Sequence, residues 1–498
     1  MALQVQQLAH MAEVHGDRIA YVDVSAQHRP QLTFADWEAA ANRLARGLAA
    51  DGVRPGDRVA LFLESTHPLR WIVAYAAIHK AGAVAVPTNT RLSSREVAAV
   101  LGHAEPVVAI TSSTLRATLD AAAVPTLRHT VQADGTDWEE LLADDDSAFQ
   151  EPVTDDDLAD IMYTSGTTGL PKGIAVRHRS LHILPNAEVE WSGDTWLHGS
   201  PLFTFAGISF IYNPMKMGMS AMYQPRFDPD RWIDLVAERR PTMAFIVPAM
   251  AQLLVTNERF ADADLSSLNM LSVGSAPLPP TLHRQLADLL PGTAVTNNYS
   301  MTEAGTAFTY LPPDELERRA GSVGIPMGTE IRIADPQGRP LPPDEIGEVQ
   351  IKVGDDRREY YRNPEASAAT WSGDWLRTGD LGRLDEDGYL YISGRAKDVI
   401  IRGGNNVHAA DVEAVLYEHP DVAEAAVAAV PHDVLGEDIG AWVVVRTGST
   451  LTGDDVIDFC RERLADYKVP RVVTFLEALP RNPTGKVLKR DLPTSTAP

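Results

Sequence analysis

The segment YTSGTTGLPKG, residues 163–173, follows an apolar run at residues 161–162 and precedes another at residues 174–176. Its three glycines allow backbone N–H groups to turn toward one point, and its hydroxyl side chains add further donors. Lys172 supplies a positive charge, but the GxxxxGK[ST] order of a Walker loop is absent. The combination predicts a triphosphate-binding turn; a plain Ser/Thr/Gly hairpin is the alternative.

Short apolar runs alternate with helical patterns on both sides of this segment. Strands are predicted at residues 58–64, 83–87, 107–111, 243–247, 270–273 and 294–297. Helices are predicted at residues 67–81, 95–105, 248–256 and 282–290. Strand–helix alternation with short links is typical of parallel sheets covered by helices, so we predict an α/β fold.

The pattern of predicted secondary structure changes twice toward the C-terminus. From residue 321 short strands alternate with Pro/Gly turns, which predicts a small β-rich subdomain at about 321–395. A compact α+β pattern follows. We therefore expect a large N-terminal domain, 1–395, of layered α/β subdomains, a domain boundary near 395–398 and an α+β C-terminal domain, 399–498.

Composition excludes several classes of function. Acidic residues outnumber basic ones, 68 to 44, and the formal net charge of −24 argues against nucleic acid as a general partner. Much of the excess lies in residues 137–160, which we interpret as a solvated connector. The single cysteine, Cys460, excludes a disulfide framework and has the helical spacing of a buried structural thiol. No signal peptide or membrane span is visible, so we expect a cytoplasmic protein with no integral membrane segment.

The phosphate-turn sequence resembles that of the adenylate-forming superfamily, which includes acyl- and aryl-CoA ligases, adenylation domains and firefly luciferase. Further segments resemble that family's motifs in the same order along the chain. They are GSAPLP at 274–279, NYSMTE at 298–303, LRTGDL at 376–381, ISGRAKD at 392–398, GGNNVHAADVE at 403–413 and PRNPTGK at 480–486. Ser300 stands where the family usually has glycine.

The resemblance implies that a carboxylate attacks the α-phosphate of ATP and pyrophosphate leaves. It implies ATP or AMP contacts from Thr164, Ser165, Gly166, Thr167, Thr168, Lys172, Gly274, Ser275, Ala276, Pro277, Asn298, Tyr299, Ser300, Met301, Thr302, Asp380, Ile392, Arg395 and Lys486. Among these, Tyr299 and Ile392 would flank the adenine, Asp380 would bind the ribose and Thr302 the α-phosphate. Glu303 would hold Mg²⁺. Lys486 would bridge the carboxylate and the α-phosphate, so Lys486, Thr302 and Glu303 are the predicted catalytic residues.

The same resemblance implies that the C-terminal domain is mobile and takes two arrangements, rotating about a hinge at 396–398 that contains Lys397. After rotation the Gly403–Gly404 loop would enter and shape a tunnel for the thiol of CoA. Two adjacent glycines permit close approach by a pantetheine arm, although a plain β-turn explains them equally well.

The acid-binding pocket is predicted to include Phe203, Thr204, Phe205, Ala206, Gly207, Met215 and Gly274. Two positions depart from family patterns. Thr204 stands where many CoA ligases have histidine, and Ala206 where amino-acid-activating domains have aspartate. Because a buried ammonium without a carboxylate is costly, we expect an apolar, non-amino acid. Methionines at 215, 217, 219 and 222 suit a roomy aliphatic or alicyclic pocket, but ordinary core packing is the alternative. Lys216 is expected to be solvated, with contact to a polar group as the alternative.

CoA is the leading acceptor, and the phosphopantetheine of an acyl carrier protein is the alternative because it presents the same thiol. The small-molecule partners are thus the acid, ATP with Mg²⁺, and CoA, and a homodimer is left open. Alternatives of other classes are a luciferase-type oxygenase, a catalytically silent ATP-binding regulator and, disfavoured by the absent Walker pattern, a phosphotransferase.

Overall fold

A computed structural model describes residues 3–25, 30–164, 172–181, 184, 188–305, 307–354, 357–432, 434–482 and 485–493. Four of the predicted phosphate contacts, Ser165, Gly166, Thr167 and Thr168, lie outside the described residues. Within the described part of the chain, no helix is both long enough and apolar enough to cross a membrane.

Two seven-stranded sheets dominate the N-terminal part, and each is parallel except at one edge. The first contains, in spatial order, Ala294–Asn297, Met270–Val273, Met243–Ile246, Thr195–His198, Ser220–Tyr223, Ile19–Asp23 and Gln31–Thr33. The second contains Glu359–Tyr360, Lys172–Arg177, Leu158–Thr164, Val84–Pro87, Arg58–Phe62, Val108–Thr111 and His129–Gln132. The predicted α/β class is confirmed.

Helices pack on and between these sheets. They are Gln4–His15, Phe34–Ala50, Pro68–Lys80, Ser94–Ala104, Ser113–Ala122, Thr136–Leu141, Phe205–Lys216, Pro229–Arg239, Pro248–Val255 and Pro280–Leu289. The largest apolar cluster joins side chains from Phe34–Ala50, Pro68–Lys80 and Phe205–Lys216 to side chains of both sheets. These three helices therefore form a shared inner layer. The first of them begins at Thr33, whose hydroxyl accepts the N–H of Asp36 at 3.0 Å.

Two smaller antiparallel units follow before the C-terminal domain. One pairs Phe308–Tyr310 with Ile325–Met327. The other contains Glu330–Ala334, Gly347–Lys352, Trp375–Leu384, Trp371–Ser372 and Leu390–Arg395, with helix Pro364–Thr370 beside it. These antiparallel strands agree with the β-rich pattern predicted for this part of the chain.

The C-terminal domain is built on one mixed sheet with two helices. Its strands are Asn405–His408, Val399–Arg402, Gly436–Val445, Val422–His432 and Val472–Phe475, and its helices are Ala409–Leu416 and Gly453–Arg461. Cys460 is fully buried in the apolar core of this domain, and burial raises the pKa of its thiol to about 11. The interpretation of Cys460 as a structural thiol is therefore confirmed.

Most acidic side chains of residues 137–160 are exposed, as expected of a solvated segment. Asp160 is the exception, because strand Leu158–Thr164 carries it into the core. There it accepts a hydrogen bond from the Tyr75 hydroxyl at 2.6 Å and lies 3.0 Å from Nε2 of His79.

Candidate active site

Asp380 and Arg395 meet across the antiparallel pairing of strands Trp375–Leu384 and Leu390–Arg395. Nε of Arg395 lies 2.8 Å from Oδ1 of the buried Asp380. The Tyr299 hydroxyl donates to the other carboxylate oxygen at 2.6 Å. Burial and the neighbouring Asp380 charge raise the pKa of Tyr299, so its hydroxyl stays a donor. Ile392 packs in the same apolar cluster as the Tyr299 ring, which brings the two predicted adenine neighbours together.

Lys486, in the C-terminal domain, is half-buried. Burial lowers the pKa of its ammonium, the nearby Arg395 lowers it further, and the carboxylates of Asp380 and Asp398 oppose the shift. The preceding Gly485 has φ +83°, and a Cβ there would lie 3.1 Å from Val247 of the N-terminal domain. Glycine thus allows the turn before Lys486 to approach Val247 of the N-terminal domain closely.

The predicted metal ligand, Glu303, sits in the short helical turn Thr302–Ala304. Burial raises the pKa of its carboxyl, while Tyr360 and the charges of Arg395 and Arg358 lower it. The Tyr360 hydroxyl donates to Oε1 of Glu303 at 3.3 Å. Just before the turn, Ser300 is exposed and Met301 is half-buried.

A magnesium ion fits this environment only with ligands from a nucleotide. No group of three His, Cys, Asp or Glu residues that could hold a metal occurs among the described residues. A single carboxylate beside phosphate oxygens and water is, however, a common way for proteins to hold Mg²⁺. Glu303 fits that pattern.

Strand Leu158–Thr164 and strand Lys172–Arg177 form the antiparallel hairpin that carries the predicted phosphate turn. Thr164 pairs with Lys172, so both flank the turn itself. Nζ of Lys172 lies 5.2 Å from the centre of the Tyr360 ring. Because Tyr360 also contacts Glu303, the hairpin and the Glu303 turn share a neighbour.

The predicted adenine turn follows strand Met270–Val273. Gly274 is buried, whereas Ser275 and Pro277 are exposed and Ala276 is half-buried. Ser275 has φ +68°, a left-handed conformation that is uncommon outside glycine and is often held at functional sites. Asn298 lies alongside, donating through its side-chain amide to the Ser272 hydroxyl at 2.9 Å.

Helix Phe205–Lys216 begins in the predicted acid-binding segment, directly after the half-buried Phe203. The Thr204 hydroxyl caps it by accepting the N–H of Gly207 at 3.0 Å. A Cβ on Gly207 would lie 2.1 Å from the Pro201 carbonyl, so this close approach requires glycine.

An apolar face lies between this helix and strand Met243–Ile246. Trp196, Phe210, Met219, Phe245 and Val247 form one buried cluster, with Ala206 packed against it. The Phe210 and Phe245 rings are 4.6 Å apart, and a Cβ on Gly274 would lie 3.4 Å from the Phe245 ring. Val247 approaches Gly485, next to Lys486. The cluster therefore extends from the adenine turn to the lysine turn.

Helical periodicity separates Phe205 and Met215 from Ala206, although all three were predicted to line the pocket. Phe205, Ile208, Tyr212 and Met215 point into the shared inner core, whereas Ala206 and Phe210 point toward Phe245. The methionines are similarly dispersed: Met217 is exposed, Met219 lies with Phe245 and Met222 lies in another core. They do not form one methionine-lined pocket.

The expectation of a solvated Lys216 is wrong. Its side chain is buried, and its ammonium donates to the Leu184 carbonyl at 2.7 Å. Burial lowers the pKa of Lys216 to about 7.

Gly403 and Gly404 form the turn that joins strands Val399–Arg402 and Asn405–His408. Both have positive φ, +56° and +86°, as a two-residue hairpin with residues 402 and 405 paired requires. The turn geometry alone thus explains both glycines. Lys397 lies in the exposed turn Ala396–Asp398 that connects the two domains.

Sequence reasoning missed two residues next to Glu303, namely Arg358 and Tyr360. Arg358 directly precedes, and Tyr360 ends, the two-residue strand Glu359–Tyr360 that pairs with the hairpin strand Lys172–Arg177. Arg358 is buried and donates to the Thr302 carbonyl at 2.6 Å. In this stretch the sequence shows only an arginine two residues before a tyrosine. A strand of two residues is too short to show a hydrophobic pattern, so the sequence does not reveal that Arg358 is buried.

The sequence pattern of the AMP-binding enzyme family matches residues 8–360, and that of the AMP-binding enzyme C-terminal domain matches residues 411–486. A feruloyl-CoA synthase from Amycolatopsis is 37% identical over 93% of both chains. The long-chain-fatty-acid–CoA ligase FadD13 of Mycobacterium tuberculosis is 36% identical over 94% of both chains. The anthranilate CoA ligase AuaEII, solved with anthranoyl-AMP, superposes with a TM-score of 0.88 at 27% identity, covering 98% of this chain and 95% of that one.

Proposed function

The chain belongs to the AMP-binding enzyme family, and from this premise we propose that it is an ATP-dependent acid–CoA ligase. A carboxylate oxygen of the acid attacks the α-phosphorus of ATP, and the bond to the β-phosphate oxygen breaks to release pyrophosphate. The thiolate of CoA then attacks the acyl carbon and releases AMP. The observation that carries this proposal is the buried Asp380 carboxylate held between Arg395 and Tyr299, with the turn before Lys486 packed close to Val247 of the N-terminal domain.

The first step brings two anions together, so the site must supply positive charge and alignment. Lys486 is placed to neutralise charge between the carboxylate and the α-phosphate. Asp380 accepts from the ribose hydroxyls, and Arg395 keeps its carboxylate oriented. Thr302 donates to the α-phosphate. Mg²⁺, when bound by Glu303 and the phosphates, supplies further charge neutralisation.

The remaining nucleotide contacts are assigned from the places of their residues in the fold. Thr164 and Lys172 flank the phosphate turn, and Lys172 is assigned to the pyrophosphate end of ATP. The turn at residues 274–277 and the residues 298–301 form the adenine side, with Tyr299 and Ile392 on its two faces. Their shared apolar cluster supports this placement.

The acid is proposed to be apolar and non-amino, with aryl acids favoured. Ala206, Phe210, Phe245 and Val247 offer an apolar face with no charge to pair with an ammonium group. Tilted aromatic rings at 4.6 Å are a suitable neighbour for another flat ring. The similarity to a feruloyl-CoA synthase supports the same class.

We place the N-terminal domain at 1–395, the hinge at 396–398 and the C-terminal domain at 399–498. The exposed turn containing Lys397 is the pivot for a rotation that withdraws Lys486 and brings in the Gly403–Gly404 hairpin. An arrangement in which the turn before Lys486 packs close to Val247 of the N-terminal domain suits the adenylation step.

The test is a pyrophosphate-release assay over a panel of acids, with CoA added or omitted. We expect hydroxycinnamic and benzoic acids to exceed glycine and β-alanine, and the acyl-CoA to form only with CoA present. A phosphopantetheinylated carrier protein in a parallel arm tests the alternative acceptor. ATP binding without pyrophosphate release from any acid would refute the ligase assignment and favour a silent regulator.

A further inference from the structure

The short strand Glu359–Tyr360 and the residue before it connect three parts of the proposed ATP site. Tyr360 pairs with Ile174 of the hairpin strand, and the N–H of Tyr361 donates to the Gly173 carbonyl at 2.7 Å. The strand is thus fixed to the end of the phosphate turn. Since side chains alternate along a strand, Arg358 and Tyr360 share one face.

Arg358 holds the backbone of the Glu303 turn. Its guanidinium donates to the carbonyls of Thr302 and Ser180, the former at 2.6 Å, and lies 4.7 Å from the centre of the Phe205 ring. A Cβ on Gly305 would come within 3.2 Å of this guanidinium. Arg358 therefore fills the space beneath the turn, and a larger residue at 305 would displace it.

Tyr360 holds the side chain that the turn presents. Its hydroxyl donates to Oε1 of Glu303, and its ring faces the ammonium of Lys172. One tyrosine thus contacts both the proposed metal ligand and the proposed pyrophosphate contact.

We propose that Arg358 and Tyr360 are positioning residues that orient the Glu303 carboxylate toward a nucleotide-bound divalent cation. Arg358 fixes the backbone on which Glu303 stands, and Tyr360 fixes the carboxylate itself. This inference rests on the proposed function, because it assumes that Glu303 serves a metal–nucleotide complex.

The experiment measures Mn²⁺ binding by electron paramagnetic resonance, in the presence of saturating α,β-methylene-ATP, which cannot release pyrophosphate. Tyr360→Phe removes only the hydroxyl, and we expect it to weaken Mn²⁺ binding by about 3- to 10-fold, as loss of one hydrogen bond of ordinary net strength predicts. Arg358→Lys keeps the charge but loses the forked donors, and we expect a loss at least as large.

Matched controls lie on the opposite face of the same strand. Tyr361→Phe makes the same chemical change next to His103, and Arg357→Lys changes an arginine that lies 4.9 Å from the Trp371 ring. Both are expected to bind Mn²⁺ as the wild type does. Equal Mn²⁺ affinities for Tyr360→Phe and Tyr361→Phe would overturn the proposal, even if Arg358→Lys failed to fold.

Failure of the ligase proposal and failure of the positioning proposal give different experimental results. Absence of pyrophosphate release by the wild type with every acid would refute the ligase function, yet Mn²⁺ binding would still test the positioning role. Conversely, an active ligase whose Tyr360→Phe variant binds Mn²⁺ normally would retain its function and lose this inference.

Discussion

The nucleotide side and the acid side of the cleft are held by different forces. On the nucleotide side, Asp380 is tied to Tyr299 and Arg395 by bonds of 2.6 and 2.8 Å. On the acid side, Phe210 and Phe245 are held by apolar packing. Removing one member of a buried charged set leaves its partners uncompensated, whereas trimming a packed face costs in proportion to the atoms lost. We therefore expect a single substitution on the nucleotide side to reduce activity strongly. On the acid side we expect the loss of activity to grow with the number of atoms removed.

The largest effect is expected at Lys486. Lys486→Ala removes the cation between the two reacting anions and should lower acid-dependent pyrophosphate release by about 10²- to 10³-fold. Transfer of a presynthesised acyl-adenylate to CoA should stay within about 3-fold of wild type, because a residue that acts only in the first transition state leaves the second unaffected. The two half-reactions are measured separately by stopped-flow and by thioester absorbance.

Lys489→Ala is the matched control for that variant. Its ammonium lies 2.7 Å from Glu413 within the C-terminal domain, three residues from Lys486 in sequence. We expect both half-reactions to survive in it. Equal loss of the two half-reactions in Lys486→Ala would contradict the assigned role.

A charge introduced on the apolar acid side should have the next largest effect. Ala206→Asp should reduce kcat/KM for an apolar acid on the order of 10²-fold, because the carboxylate must be desolvated against Phe210 and Phe245. Ala206→Asn, which has the same shape without the charge, should lose distinctly less. KM for ATP reports on the other side of the cleft and should remain nearly constant; a parallel rise in KM for ATP would show that the two sides are not independent.

Trimming the same face should have a smaller effect. Phe245→Leu removes the ring that lies 4.6 Å from Phe210 and next to Gly274, and kcat/KM for aryl acids should fall about 3- to 10-fold. Alkyl acids should be affected less, since they gain little from ring–ring geometry. Leu253→Ala, an exposed apolar residue on the neighbouring helix, is the control. A uniform loss with aryl and alkyl acids would argue against aryl specificity.

Much of the fold was predictable because buried parallel strands read as short apolar runs. Strands Met270–Val273 and Ala294–Asn297 have the predicted bounds. The long strand Val422–His432 was not predicted, because its alanine-rich sequence lacks a clear β signal. Its structure comes from pairing with strand Gly436–Val445, which the local sequence does not specify.

The candidate site, like the fold, contains some residues that the sequence predicted and others that it did not. Asp380, Arg395 and Lys486 were predicted to meet because each lies in a segment that resembles a family motif. The structure pairs Asp380 with Arg395, and the contact of Lys486 with them stays a prediction. Arg358 and Tyr360 lie in a strand of two residues whose partner strand is far away in sequence, so no local pattern reveals them. Helical spacing does assign Met215 to the core face, and that signal was present in the sequence.

The smallest expected effect concerns Lys216, a buried lysine at the end of the helix that carries Ala206 and Phe210. Its folded pKa of about 7 lies below its ordinary 10.5, so between these values the unfolded chain binds more protons than the folded one. Stability should therefore rise with pH in this window, by up to about 1.4 kcal/mol per pH unit. Lys216→Met should flatten this rise. The free energy of unfolding of the wild type, relative to the variant, should increase by roughly 1–2 kcal/mol from pH 7.5 to 9 in denaturant titrations.

Lys352→Met, which removes a solvent-accessible lysine paired with Glu330, provides the reference for that measurement. Its difference from the wild type should stay nearly flat over the same pH range. Pyrophosphate release should change little in Lys216→Met, since the Lys216 ammonium is bound to the Leu184 carbonyl and not to the cleft. A loss comparable to that of Lys486→Ala would place Lys216 in the chemistry and would remove the contrast between the two sides.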